Sequence, residues 1–193
     1  MALHIGRLSS RRTVYQLSVT LLNIQPSIWR RLLVPADMPL KRLHDALQIA
    51  MGWQDCHLFQ FAVGDVRYGI AGARIDPEMK KETGVKLKTL LPKPGAKLIY
   101  EYDFGDARQH EIVLEEILPW PEHHLLPRCV AGERACPPEN SGGYPGYEHL
   151  LAVLKDSLHP DHSGMREWVG EDFDPETFDL SAVNFRLGAA FGQ

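Results

Sequence analysis

Apolar and polar residues alternate along six segments of the first 117 residues, which is the pattern of half-buried β-strands. The Gly64-Asp65 pair predicts a tight turn between the third and fourth of these strands. The predicted strands cover residues 15–21, 28–34, 57–63, 66–68, 98–102 and 112–117.

Apolar residues at helical spacing mark the remaining elements. Leucines follow Pro39 at this spacing and predict a helix over residues 40–50 that ends at Gly52, since glycine readily adopts the left-handed conformation of a helix end. The other predicted helical segments are residues 85–91, 147–158, 165–169 and 180–187, the last of them capped by Asp179.

The order of these elements predicts an α+β fold in one domain. A mixed, largely antiparallel sheet from the N-terminal two-thirds packs with helices, and the C-terminal part is helical. We expect this domain to span residues 13–193 after a flexible N-terminal arm over residues 1–12. Residues 118–146 are rich in proline and glycine and show no periodicity, so they predict a long loop.

Composition agrees with a globular domain and excludes several other classes. Of the 193 residues, 44% are hydrophobic and 24% charged, unlike a collagen, a coiled-coil rod or a disordered chain. No apolar run reaches the roughly 18–20 residues that cross a membrane. The three cysteines are too few and too scattered for a secreted disulfide framework. We therefore expect a cytoplasmic protein without a membrane partner.

Charge is unevenly distributed along the chain. The net charge is −4, yet residues 1–42 hold seven Lys/Arg and one acid. One interpretation is that this basic section binds nucleic acid, with Arg30 and Arg31 beside Trp29 as contacts. The alternative is that the basic and acidic parts neutralise each other within the fold or across a homodimer. For the strand itself, the alternative to a nucleic-acid surface is that Trp29 points inward and Arg30, which alternates with it, points outward.

The first candidate for chemistry is the segment Tyr100-Glu-Tyr-Asp-Phe-Gly-Asp106, followed by His110. Glycine at the end of the strand permits a bend that brings Asp103, Asp106 and His110 together. Carboxylates and imidazoles bind divalent metals or carry out acid–base chemistry. The structural alternative is that aspartate in such a turn accepts hydrogen bonds from backbone amides.

The second candidate is the segment from Cys129 to Gly143, which includes Cys136-Pro-Pro-Glu139. Six residues separate the two cysteines, which is not a zinc-finger spacing, so a metal there needs further ligands from elsewhere. The alternative is that two small buried thiols hold a long loop in place. We expect the two candidate segments to face one cleft.

Two overlapping sets of residues follow from these candidates. The predicted binding pocket consists of His57, Asp103, Asp106, His110 and Glu139. The predicted ligands of a divalent metal, if one binds, are His57, Asp103, His110, Cys129 and Cys136.

These motifs, taken together, resemble the plasmid pRi ORF-three-like proteins, found on plasmids, insertion elements and bacterial chromosomes. The matching stretches are Ile28–Val34, Leu43-His44, Gln48–Trp53, His57-Leu58, Tyr100–Asp106 with His110, Cys136–Glu139, Gly142-Gly143, Gly146-Tyr147 and Phe173–Pro175. The resemblance implies an α+β domain without an established activity. Two positions depart from the family pattern: Arg108 stands where a tryptophan is usual, and Asn140-Ser141 stands where Asp-Cys is usual.

Three functional hypotheses remain open at this point. The first is a non-catalytic binding or accessory module of plasmids or mobile elements, with nucleic acid or protein as partner. The second is a metal-dependent enzyme that uses the Asp/His cluster. The third is that the motifs are structural and the function lies on another surface. The sequence does not support recombinase catalysis. A serine recombinase needs a nucleophilic serine at the opening of an α/β domain, whereas Ser9-Ser10 precede a strand. A tyrosine recombinase needs a C-terminal tyrosine, and no tyrosine follows Tyr147.

Overall fold

A computed structural model describes residues 12–70, 77–120 and 125–192. The predicted flexible arm therefore lies, except for Arg12, outside the described residues. The elements in chain order are β1 (Thr13–Leu21), β2 (Ile28–Pro35), α1 (Leu40–Met51), β3 (Phe59–Val63), β4 (Val66–Gly69), β5 (Lys80–Lys81), α2 (Leu87–Leu90), β6 (Lys97–Tyr102), β7 (Arg108–Pro119), β8 (Arg128–Glu133), α3 (Gly143–Lys155), α4 (His162–Val169) and α5 (Leu180–Phe191).

The eight strands that the described ranges contain form one sheet in the order β5-β4-β3-β6-β7-β1-β2-β8. Neighbouring strands are antiparallel except β4 and β5, which are parallel. The predicted α+β class with a largely antiparallel sheet is confirmed. No helix in these ranges has both the length and the apolar character that a membrane crossing needs.

Helix α1 covers the sheet with the apolar face that its leucine spacing predicts. Leu40, Leu43 and Leu47 are all fully buried in the core. The helix ends at Gly52, whose φ of 89° is left-handed and whose N–H donates to the Gln48 carbonyl oxygen. That geometry is easy only for glycine, and it turns the chain toward the segment from Trp53 to His57.

Strand β8 lies inside the segment that the sequence predicts to be a loop. It pairs with β2 and forms one end of the sheet. The side chain of Asn184, on α5, then pairs with the outer edge of β8: its Oδ1 accepts from the Cys129 N–H at 2.9 Å and its Nδ2 donates to the Cys129 carbonyl at 2.8 Å. An amide side chain thus occupies backbone groups that would otherwise be open to another strand.

Arg30 points into the protein, which is the reverse of the predicted orientation of β2. Its residue is 2% exposed, whereas Trp29 and Arg31 lie half-buried on the other face of the strand. Its five N–H groups contact the carbonyl oxygens of Trp29, Ala50, Glu133 and Arg134 and the Sγ atom of Cys136, at 2.7 to 3.5 Å. The buried guanidinium is therefore satisfied by backbone oxygens rather than by a carboxylate.

The strand next to Arg30 is shaped to receive it. Gly132 lies opposite Arg30 in the β2–β8 pairing. A Cβ atom at Gly132 would lie 2.8 Å from Arg30 Cδ and 2.7 Å from the Phe178 ring, so only glycine fits. The Phe178 ring covers the guanidinium with its centroid 3.9 Å away, a cation–π contact shielded from water.

His110 is a second buried polar residue of the core. Its Nδ1 lies 3.2 Å from the Tyr100 carbonyl oxygen, and its ring is edge-on to Trp53 with the centroids 5.2 Å apart. Burial lowers the pKa of His110 to about 4. The imidazole is therefore neutral in the folded protein at physiological pH.

We predict that Arg30→Met destabilises the protein much more than Arg31→Met does. Replacing Arg30 leaves several buried carbonyl oxygens without donors, a loss of roughly 3 kcal/mol or more. Arg31 forms a half-exposed ion pair with Glu115 at 2.7 Å, a type of pair that contributes at most about 1 kcal/mol. Urea unfolding of both variants measures the difference, and equal losses would show that the buried guanidinium does not hold the fold.

We also predict that stability falls between pH 7 and pH 5 in a manner that depends on His110. The pKa is about 4 in the folded state and about 6.5 when unfolded, so the unfolded chain binds the proton first as pH falls. The contribution of neutral His110 to the free energy of unfolding is present above pH 6.5 and is lost as the pH falls below it, by roughly 2 kcal/mol at pH 5.

His110→Gln should therefore lose less unfolding free energy between these pH values than the wild type does. Replacement of the exposed His149 by Gln is the matched control and should follow the wild-type profile. Urea unfolding at pH 7 and pH 5 measures both, and a His110→Gln profile parallel to the wild type would contradict the assignment.

Candidate functional site

The turn after β6 and the segment after β8 meet at one end of the sheet, which is where the sequence predicts a shared cleft. Arg108, at the start of β7, links the two. Its Nη2 donates to the Pro138 carbonyl at 2.7 Å and to Asp106 Oδ2 at 2.9 Å, and its Nη1 donates to Glu139 Oε2 at 3.2 Å. Arg108, one of the two predicted departures from the family pattern, therefore joins both segments.

Glu139 lies at the centre of the site, which includes part of the predicted pocket. Its Oε1 accepts from the Tyr102 hydroxyl at 2.9 Å and from the Gln54 backbone N–H at 3.0 Å. Its Oε2 accepts from Arg108. Three donors from three parts of the chain thus fix this carboxylate, although its residue lies in a loop.

His57 faces the same carboxylate. Its Nε2 lies 3.1 Å from Asn140 Oδ1, 3.5 Å from Asp103 Oδ2 and 3.9 Å from Glu139 Oε2. Its ring stands edge-on to the ring of Tyr102, with the centroids 5.8 Å apart. His57, Asp103 and Glu139 of the predicted pocket therefore lie together. Asp106 does not contact His57 but is linked to Glu139 through Arg108, which binds both carboxylates.

Four residues around the site have a left-handed backbone although none is glycine. The φ angles are 54° at Asp55, 58° at Asp103, 50° at Ala107 and 57° at Asn140. Asp103 is stabilised by its own turn, since its Oδ1 accepts from the N–H groups of residues 105 and 106 at 3.1 and 3.3 Å. Ala107 has no such compensation and costs about 1 kcal/mol. Backbone strain of this kind concentrates at functional sites.

Aromatic packing supports the site from below. Trp53 stacks on Tyr102 with the ring centroids 5.2 Å apart, and the Arg108 guanidinium lies 5.0 Å from the Trp53 ring. The indole N–H donates to the Pro137 carbonyl at 3.0 Å. Burial raises the pKa of Tyr102, so its hydroxyl stays protonated and donates to Glu139.

His110 does not face this polar cluster, unlike the other members of the predicted pocket. It lies behind Trp53 in the core, fully buried, with Nδ1 directed at the Tyr100 backbone. Its effect on the site is to support the Trp53 ring.

The structure does not bring the five predicted metal ligands together. In the part of the chain that the structure describes, only His57 of that set belongs to a group of three residues with ligand atoms within 4.8 Å of one another. Cys129 donates to the Ala131 carbonyl, and the Cys136 thiol lies 3.4 Å from Met51 Sδ. Burial raises the pKa of both thiols, which opposes the thiolate that a metal requires. Both cysteines are buried, and the Cys136 thiol lies 3.5 Å from Arg30 Nη2.

The group that does form consists of Cys56, His57 and Glu139. Cys56 gives no spacing signal in the sequence, because it has no second cysteine or other ligand at a metal-site spacing. The adjacent His57 was its only local signal. A second group consists of His44, Asp45 and Asp55.

The predicted nucleic-acid contacts have other roles in the fold. Arg30 is removed from any surface because it is buried with every N–H group bonded. Arg31 forms a two-bond ion pair with Glu115 at 2.7 and 2.9 Å, so its charge is already balanced. Its contact with nucleic acid remains a prediction.

A cleft of about 460 Å³ adjoins the polar cluster. It lies between the end of α1, residues 135–139 and the C-terminal helices, and Glu139 lines its edge. The half-buried rings of Phe173 and Phe178 contribute aromatic surface, the nearly buried Trp53 lies in the wall, and the exposed Arg186 of α5 contributes a guanidinium.

Comparisons with known proteins place the chain in a family. The family model described as plasmid pRiA4b ORF-3-like protein matches residues 13–182. Uncharacterized protein y4hQ of Sinorhizobium fredii (strain NBRC 101917 / NGR234) is 35% identical over 174 residues, which cover 89% of each chain. The crystal structure of MM3350, a protein of unknown function from Methanosarcina mazei Go1, has a TM-score of 0.81 at 39% identity and covers 89% of this chain and 97% of that one. The chain belongs to the plasmid pRiA4b ORF-3-like family.

Proposed function

We propose that this protein is a binding module for a small organic anion with a flat apolar body, which enters the cleft of about 460 Å³ beside the polar cluster. The observation that carries the proposal is a cleft of mixed aromatic and polar lining whose Arg186 guanidinium has no partner among the described residues. A cleft of this volume is in the range of about 300–1,000 Å³ that is usual for small-molecule sites.

The walls of the cleft favour a flat apolar ligand. Trp53 and Pro137 line one side, and Phe173, Phe178 and Val183 line the other. Trp53 is held by its hydrogen bond to the Pro137 carbonyl and by stacking on Tyr102. Because this surface is already held in place, a ligand does not have to pay for ordering it.

The charges that line the cleft favour an anion over a cation. Arg186 makes no hydrogen bond or ion pair within the described residues. Both carboxylates in the lining already accept hydrogen bonds: Asp179 Oδ1 accepts from the Ala182 N–H at 2.9 Å, and Glu139 accepts from three donors. Arg30 has no donor left. Arg186 is therefore the charged donor that the cleft offers to a carboxylate or phosphate group.

The family's description names only a plasmid reading frame, so the binding role is supported by the cleft. An accessory module needs a ligand site and no complete catalytic set. The cleft and Arg186 meet that requirement without the nucleic-acid contacts that were predicted for Arg30.

We predict that 2-naphthoate binds and that Arg186→Gln weakens its binding by roughly ten-fold, the value expected for one charge-assisted hydrogen bond. The Trp53 indole N–H resonance in a ¹⁵N-correlated NMR titration is the reporter, because this group lies in the cleft wall. The neutral analogue 2-naphthalenemethanol should bind more weakly than the carboxylate.

Lys155→Gln is the matched control, since it removes one positive charge at a different pocket. It should leave naphthoate binding unchanged. Binding that is equal for the acid and the alcohol, or equally weakened by both substitutions, would contradict the proposal.

A further inference from the structure

We propose that Cys56, His57 and Glu139 bind one divalent transition-metal ion of the zinc type and leave a coordination position open. The three ligand atoms lie within 4.8 Å of one another. Thiolate, imidazole and carboxylate together suit zinc or cobalt rather than magnesium or calcium. Three protein ligands with one open position are also the arrangement that zinc sites use when the metal contacts water or a ligand.

Only a small movement is needed to close the site around an ion. Ligand atoms at about 2.0–2.3 Å from zinc in a tetrahedron lie about 3.3–3.8 Å apart. The separations here, at most 4.8 Å, therefore have to shrink by about 1.5 Å at most. Cys56 is exposed and its Sγ lies 3.6 Å from the Tyr102 hydroxyl, a long contact that is given up when the side chain turns toward the ion. The thiol releases its proton to solvent on binding.

Glu139 is already oriented as a ligand. Its Oε1 is fully used by Tyr102 and the Gln54 N–H, while Oε2 accepts only one hydrogen bond, from Arg108. The second lone pair of Oε2 is therefore available on the side of His57, 3.9 Å away. Donors that fix a carboxylate from behind are the usual outer shell of a metal ligand.

The charge around the site also favours a cation. Asp103 Oδ2 lies 3.5 Å from His57 Nε2, while its Oδ1 serves the turn. The positive charge of Arg108 is balanced by Asp106 at 2.9 Å. Asp103 and Glu139 thus leave net negative charge beside His57, and the ion replaces the hydrogen bond between His57 and Asn140.

The second group of potential ligands is a less suitable site. Both ring nitrogens of His44 are engaged, Nε2 with Asp55 Oδ1 at 2.7 Å and Nδ1 with the Tyr100 hydroxyl at 2.8 Å. A metal would have to break a buried hydrogen bond to reach either nitrogen. Lys41 lies 3.2 Å from Asp45 and 3.4 Å from Asp55, and it already supplies the positive charge there.

Titration of the reduced, metal-free chain with Co²⁺ tests the proposal. Cobalt bound to a thiolate gives a near-ultraviolet charge-transfer band, so the wild type should develop this band to one equivalent. Cys56→Ser should lose the band. Glu139→Gln should keep it with at least a ten-fold weaker affinity. Competition by Zn²⁺ should remove the band in the wild type.

Matched controls separate this site from the alternatives. Cys129→Ala and Asp45→Asn should both keep the band, with folding checked by circular dichroism. Absence of the band in the wild type, its persistence in Cys56→Ser, or its loss in either control would overturn the proposal. Because these titrations contain no organic ligand, their failure leaves the naphthoate experiment as a separate result.

Discussion

The arrangement of the site depends on one buried guanidinium. Arg30 connects the end of α1, through the Ala50 carbonyl, with the end of β8 and the following segment, through Glu133 and Arg134. These are the two chain segments that diverge to form the cleft. A buried charge held by backbone oxygens tolerates little movement, because each lost bond leaves a polar group without water. The distance between the two sides of the site is therefore fixed from inside the protein.

That constraint explains how the loop over residues 134–142 can hold the side chain of Glu139 in a fixed position. Residues 134–142 have no regular secondary structure of their own, yet they are tied at Arg30, at Trp53 through Pro137 and at Arg108 through Pro138. The left-handed residues around the site are tolerated because the surrounding contacts over-determine the backbone. The backbone at Glu139 is thus held in place although it belongs to no strand, and a loop held in this way can position a side chain that binds a ligand.

Periodicity predicted most of the fold, and the failures have physical reasons. The alternation of β1 and the leucine spacing of α1 were read correctly because both elements bury one face. Strand β8 was missed because its Gly132 makes room for Arg30 and because a helix covers its edge, so its sequence shows no alternation. Arg30 was placed outward because charged residues are rarely buried. Cys56 was missed because its partner Glu139 is distant in sequence.

The structure also changes the meaning of the basic N-terminal section. Arg31 is neutralised by Glu115 across the sheet, and Arg42 is bonded to Asp45 and stacked on Phe191. At these two described positions the positive charge is balanced locally by carboxylates. Arg186 lies in a part of the chain that is acidic overall, yet among the described residues its guanidinium in the wall of the cleft has no partner. The anion recognition proposed here therefore depends on where a cation lacks a partner rather than on where cations are most numerous.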